Sequence, residues 1–137
     1  MTRIWLLAAG SAILCATARD AAGQGQVTTK SGVYSQEQSD RGRDVYLAYC
    51  KSCHSPETHT GPAFNALWNG KRLSELFDYV SDKMPKGNPG SLSSEENADV
   101  LAYLLRMNLL PTGTKELPAD SVRLKSITID LPISKSP

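Results

Sequence analysis

Cys50-Lys51-Ser52-Cys53-His54 puts two thiols and an imidazole within five residues. At the end of a helix, two thiols three residues apart project to the same side. The next residue then reaches the same point from a short, tethered position. This C-x-x-C-H arrangement is the attachment sequence for a c-type haem, in which each thiol bonds one vinyl group and the imidazole meets the iron. Other chemistries fit the cluster less well. A redox-active C-x-x-C opens a helix after a strand, whereas this one closes a helix in a chain with almost no strand signal. A zinc site needs four ligands, and only His59 remains, too close in sequence for the usual two-knuckle spacing. A disulfide between Cys50 and Cys53 would close a tiny loop and restrict the unfolded chain little.

Iron held by His54 has a second axial position. Met1, Met84 and Met107 are the methionines of the chain. Met107 falls on the apolar stripe of a helix with Val100 and Leu104, which is a packing position. Met84 leaves a helix into the turn-rich Pro85-Lys86-Gly87-Asn88-Pro89-Gly90 loop, where a long thioether can be aimed inward. Thioether ligation opposite His54 raises the haem potential and closes the iron to substrates, so the pair His54 and Met84 predicts electron transfer rather than catalysis. No His, Arg or Asp pair is placed as a distal acid and base, which weakens the rival reading of a five-coordinate haem enzyme or gas sensor. His59, five residues from His54, reads as an exposed loop histidine. Lys71, Arg72, Lys83 and Lys86 read as solvated surface that could also steer an acidic partner.

The elements that must position these groups are helical. Ser35 followed by Gln38 is a capping-box pattern, and Gln36 to about Cys50 lacks proline and spaces Gly42, Val45, Tyr46 and Tyr49 three and four apart. Residues 55–71 read as a loop rich in breakers, with Pro56, Gly61-Pro62 and Asn69-Gly70. Leu73, Leu76, Phe77 and Val80 mark a short amphipathic helix that Met84-Pro85 stops. Ser93 with Glu96 opens a second capping box, ahead of the stripe Val100, Leu101, Leu104, Leu105 and Asn108. Residues 24–34 are polar and read as a flexible lead-in, and residues 111–137 as an extended tail lying along the body.

The first residues are of another kind. Arg3 precedes an uncharged run from Ile4 to Cys15 and then Ala16-Thr17-Ala18, the layout of a secretory signal spanning residues 1–23, with cleavage after Ala18 or Gly23. The run is too short for a permanent bilayer span, so no membrane-crossing segment is expected in the mature chain. The remaining length fits one domain, over residues 35–110. Fifteen Lys plus Arg against fourteen Asp plus Glu leave the chain near neutrality, which gives nothing to neutralise a nucleic-acid backbone.

Over residues 35–110 the sequence resembles class I c-type cytochromes. The matching pieces are Gly42-Arg43-Asp44-Val45-Tyr46, Cys50-Lys51-Ser52-Cys53-His54, Gly61-Pro62, Met84-Pro85 and Val100-Leu101-Ala102-Tyr103-Leu104. The resemblance implies an all-α cytochrome c fold, three main helices around one haem c bound covalently through Cys50 and Cys53. It implies that the first and last helices cross near a right angle at Gly42, with Tyr46 and Tyr103 packing there. It also implies that the Pro62 carbonyl accepts the second ring N–H of His54, and that Trp68 lies beside a haem propionate. Met84 to Ser93, with Glu116-Leu117-Pro118-Ala119-Asp120, is similar to small cytochromes that accompany bacterial quinoprotein dehydrogenases. That likeness implies a periplasmic carrier between a dehydrogenase acting on alcohols or sugars and a terminal oxidase or another cytochrome. A subunit permanently docked on the dehydrogenase is the remaining variant.

Overall fold

The structure is a computed structural model and describes residues 26–132. The expected secretory signal therefore lies outside the described residues. Five helices run in the order α1 (Gln36–Tyr49), α2 (Gly61–Trp68), α3 (Leu73–Lys83), α4 (Ser94–Met107) and α5 (Ser121–Leu124), and no strand forms among the described residues. The fold is all-α, as the sequence predicts.

Glycine decides how α1 meets α4. A Cβ on Gly42 would stand 1.8 Å from the Asp99 carbonyl oxygen and 3.1 Å from Tyr103 Cβ, so the two backbones touch where any side chain would wedge them apart. Tyr46 and Tyr103 pack beside this contact with ring centroids 5.3 Å apart. Arg41 then binds Asp99 through two parallel bonds of 2.9 Å, fixing rotation at the crossing. Both helix starts are capped. Ser93 and Glu96 exchange side-chain bonds with each other's backbone N–H, at 3.1 and 2.8 Å, completing the capping box. At α1 only half the box forms. Ser35 Oγ accepts the Gln38 N–H at 3.0 Å, but the buried Gln38 amide turns away to bond both backbone groups of Leu117.

Two stretches differ from the sequence reading. The presumed loop 55–71 carries a 3-10 turn at Pro56–His59 and then α2. Its breakers stand at the ends of these elements: Pro62 occupies the first turn of α2, where a missing N–H breaks no helical bond, and Gly70, at φ +83°, follows the last. The lead-in is also ordered from residue 26 onward. Thr29 and Tyr34 are fully buried, and the Tyr34 hydroxyl donates to Leu110 O at 2.6 Å.

Residues 127–129 explain that order. Thr128 accepts from Thr29 N and donates to Val27 O on one side, while Ile127 O and Ile129 O accept from Leu73 N and Gly70 N on the other. The tail thus staples the lead-in to the α2–α3 connection. Its apolar residues Leu117, Leu124, Ile129 and Leu131 enter the same core as Leu73, Leu101 and Leu105.

Candidate haem cavity

The C-x-x-C-H run begins where α1 stops. Cys50 caps the helix, its N–H still bound to Tyr46 O, and both Cys53 N and His54 N donate to Cys50 O, at 3.1 and 2.9 Å. This turn folds the two thiols and His54 back toward a cavity of about 640 Å³. Phe64 and Trp68 of α2, Leu76 and Val80 of α3, and Val100 and Leu104 of α4 supply apolar wall. Thirty residues beyond His54, α3 ends at Met84, whose N–H still bonds Val80 O, and the methionine side chain joins the same wall. The Met84–Pro85 peptide is cis, and Asn88 N closes on Pro85 O to start the exposed loop that follows.

Four of the six residues singled out from the sequence, Cys50, Cys53, His54 and Met84, therefore meet at one cavity. A fifth, Trp68, is buried in its wall, stacked edge to face on Tyr79 at 5.6 Å and capped by Lys71 Nζ at 5.0 Å from its ring centre. Pro62 is not with them; it is exposed on the first turn of α2 and outside the cavity wall. Met107 packs on the core away from the cavity, as its helical position predicts. Among the four basic residues, Lys86 edges the cavity, whereas Arg72 bonds Thr128 Oγ1 at 2.8 Å and so ties helix to tail.

His59 is the site residue that the sequence reading misplaced. It is half-buried, not exposed, and lines the cavity with its ring 4.9 Å from that of His54. The 3-10 turn at Pro56–His59 brings it there, and a loop reading gives no reason to expect that turn. Burial first, and His54 second, depress its basicity. Burial likewise pushes the Cys50 thiol up. It is also the main reason the Tyr46 hydroxyl is pushed up to about 12.

The donor set suits a porphyrin rather than a bare ion. Its two thiols and the His54 imidazole line one cavity with a thioether from a separate segment, and the volume is within the range of organic cofactor pockets. Helices folded around such a cavity have the all-α architecture of a cytochrome c fold. Residues 37–104, from the start of α1 nearly to the end of α4, match the family model described as Cytochrome C oxidase, cbb3-type, subunit III. No curated protein and no solved structure matches the chain. No helix among the described residues is long and apolar enough to cross a membrane.

Proposed function

We propose that this protein is an exported carrier of single electrons with one haem c, bound through Cys50 and Cys53 and ligated by His54 and Met84. It works in the periplasm, taking electrons from a dehydrogenase and passing them toward a terminal oxidase. One observation carries the reading: Cys50, Cys53, His54 and Met84, distant in sequence, line one apolar cavity. The family description, which names a subunit of an oxidase, supports the oxidase end of the route. The donor end rests on the likeness of Met84 to Ser93 to the partners of quinoprotein alcohol and sugar dehydrogenases.

Haem c, when bound, supplies a one-electron iron couple. The chain's own residues do the rest. Two thioether bonds and an adjacent imidazole keep the group tethered with little further ordering of the chain. Leu76, Val80, Val100 and Leu104 exclude water, and His54 and Met84 would hold a haem iron, whose one-electron couple would need no exchange of ligand. The Trp68 indole N–H is available to a propionate. Lys86 gives the cavity edge a positive charge that an acidic partner surface would meet.

The test is the optical spectrum and mass of protein exported from a bacterial host able to attach haem. The expected result is a mass greater than the processed polypeptide by one haem. The oxidised form should show a weak long-wavelength sulfur-to-iron band, and the reduced form should ignore carbon monoxide. A colourless protein of bare polypeptide mass refutes the haem assignment, and ready carbon monoxide binding refutes Met84 ligation.

A further inference from the structure

Met84 caps α3, residues 86–91 beyond it are exposed, and the chain next turns inward at Leu92, which is buried. Bonds within this loop are local. Asn88 N donates to Pro85 O at 2.9 Å and Ser91 N to Asn88 O at 3.3 Å, which shapes its turns without joining one end to the other. Asn97 joins them. It is 1% exposed on α4, and its Nδ2 donates to Ser81 Oγ, on the last turn of α3, and to Leu92 O, where the loop returns, both at 3.4 Å. Leu92 O can only accept, so the nitrogen of the amide faces the loop. The oxygen is left over: Asn97 Oδ1 is buried and finds no donor among the described residues. An unpaired buried carbonyl costs stability that an apolar side chain of similar size would not. What the amide supplies in exchange is its pair of N–H groups, and no other side chain among the described residues bonds to residues 81–92.

We propose that Asn97 is a positioning residue for Met84: by joining Ser81 to Leu92 it closes the base of the loop and keeps the thioether in the cavity wall. Withdrawing Met84 from the cavity requires the loop to swing, and its exposed residues 86–91 offer that motion little packing resistance. The two bonds across its base therefore set how readily Met84 leaves. The inference rests on His54 and Met84 ligating a haem in this cavity, and the test keeps the two questions apart.

Ferric holoprotein is titrated with imidazole, which can bind the iron only where Met84 has let go, so its apparent affinity follows the fraction released. Wild type is compared with Asn97→Leu, Ser81→Ala, Met84→Ala and, as a control outside the cavity wall, Tyr34→Phe; melting temperature and hydrogen exchange of the Asn88 and Ser91 amides are read on the same samples. Asn97→Leu is expected to raise imidazole affinity about fivefold, the lower range for two hydrogen bonds, and Ser81→Ala about twofold. Exchange at Asn88 and Ser91 should quicken in both, while the melting temperature of Asn97→Leu stays near wild type because the unpaired oxygen leaves with the amide. A pigmented Asn97→Leu with wild-type imidazole affinity overturns the proposal, and so does an equal rise in Tyr34→Phe, which marks general loosening. Should Asn97→Leu fail to fold, Ser81→Ala decides: wild-type affinity there overturns the proposal and a twofold rise upholds it. A wild-type protein without attached haem, or one that binds imidazole as tightly as Met84→Ala, defeats the ligation reading, and this proposal with it.

Discussion

The two sides of α4 are completed by different means. Toward α1 and the tail, protein groups answer one another: Asp99 holds Arg41, Arg41 also reaches Glu116 at 3.0 Å, Gln38 pairs with Leu117, and Leu101 and Leu105 are sealed. Toward the cavity, Val100 and Leu104 complete an apolar wall with Leu76 and Val80. Three large apolar residues of that rim, Tyr49, Leu67 and Tyr79, are 50%, 55% and 46% exposed. Apolar surface of this extent lowers stability unless something covers it. One half of the molecule is thus completed by protein groups, while the other keeps an apolar cavity and an exposed apolar rim.

The largest break in that comparison should come from Cys50→Ser with Cys53→Ser. Without the tethers the cavity half loses its filler, and two Phe, two Trp and five Tyr in the whole chain are too few to replace it. The expected product is a colourless chain without cooperative melting, cut by protease first within residues 51–60 and 84–92. A compact apoprotein that melts cooperatively would show that the polypeptide holds both halves.

Next in size is Gly42→Ala, which attacks the self-sufficient half. The new methyl meets the Asp99 carbonyl at 1.8 Å, so α1 must retreat from α4 and strain the Arg41–Asp99 pair. A loss of about 3 kcal/mol is expected, the upper end of the usual overpacking cost, read from the denaturant midpoint of holoprotein with its haem spectrum intact. A midpoint equal to wild type would mean that the crossing is looser than its geometry states.

Much of this division was legible in residue order. Cys50, Cys53, His54 and Met84 could be assigned because their chemistry and spacing are local, and the α1 and α4 stripes because a 3.6-residue period survives without knowledge of partners. What escaped was non-local. Gln38 looks like a capping glutamine, and only the arrival of Leu117, 79 residues later, turns its amide elsewhere. Residues 26–34 read as flexible because they are polar, yet Val27 and Thr29 bond the tail at residues 128–130, a pairing no window of sequence contains. His59 reads as an exposed loop histidine from its place five residues after His54, within a segment where Pro56, Gly61 and Pro62 read as breakers. They mark instead the ends of a 3-10 turn and a helix.

The smallest expected effect sharpens the comparison at the clasp between lead-in and α4. Tyr34 is fully buried and donates to Leu110 O, so Tyr34→Phe should cost about 1–2 kcal/mol, a lost hydrogen bond with its carbonyl left unpaired. Its pH dependence has a fixed sign. Burial, outweighing the nearby Arg106 charge, raises the Tyr34 hydroxyl above the ordinary tyrosine range. Between about pH 10 and the higher folded value, the unfolded chain gives up a proton that the folded chain keeps. Stability from this group is therefore complete below the ordinary value and falls as pH climbs toward the folded one. The wild-type advantage over Tyr34→Phe, measured by denaturant titration of both holoproteins from pH 7 to 11, should be constant up to about pH 10 and narrow above it. An advantage that widens with alkali would mean the hydroxyl ionises more readily in the folded protein, and the clasp would not be the dry, protein-satisfied region that sets it apart from the cavity.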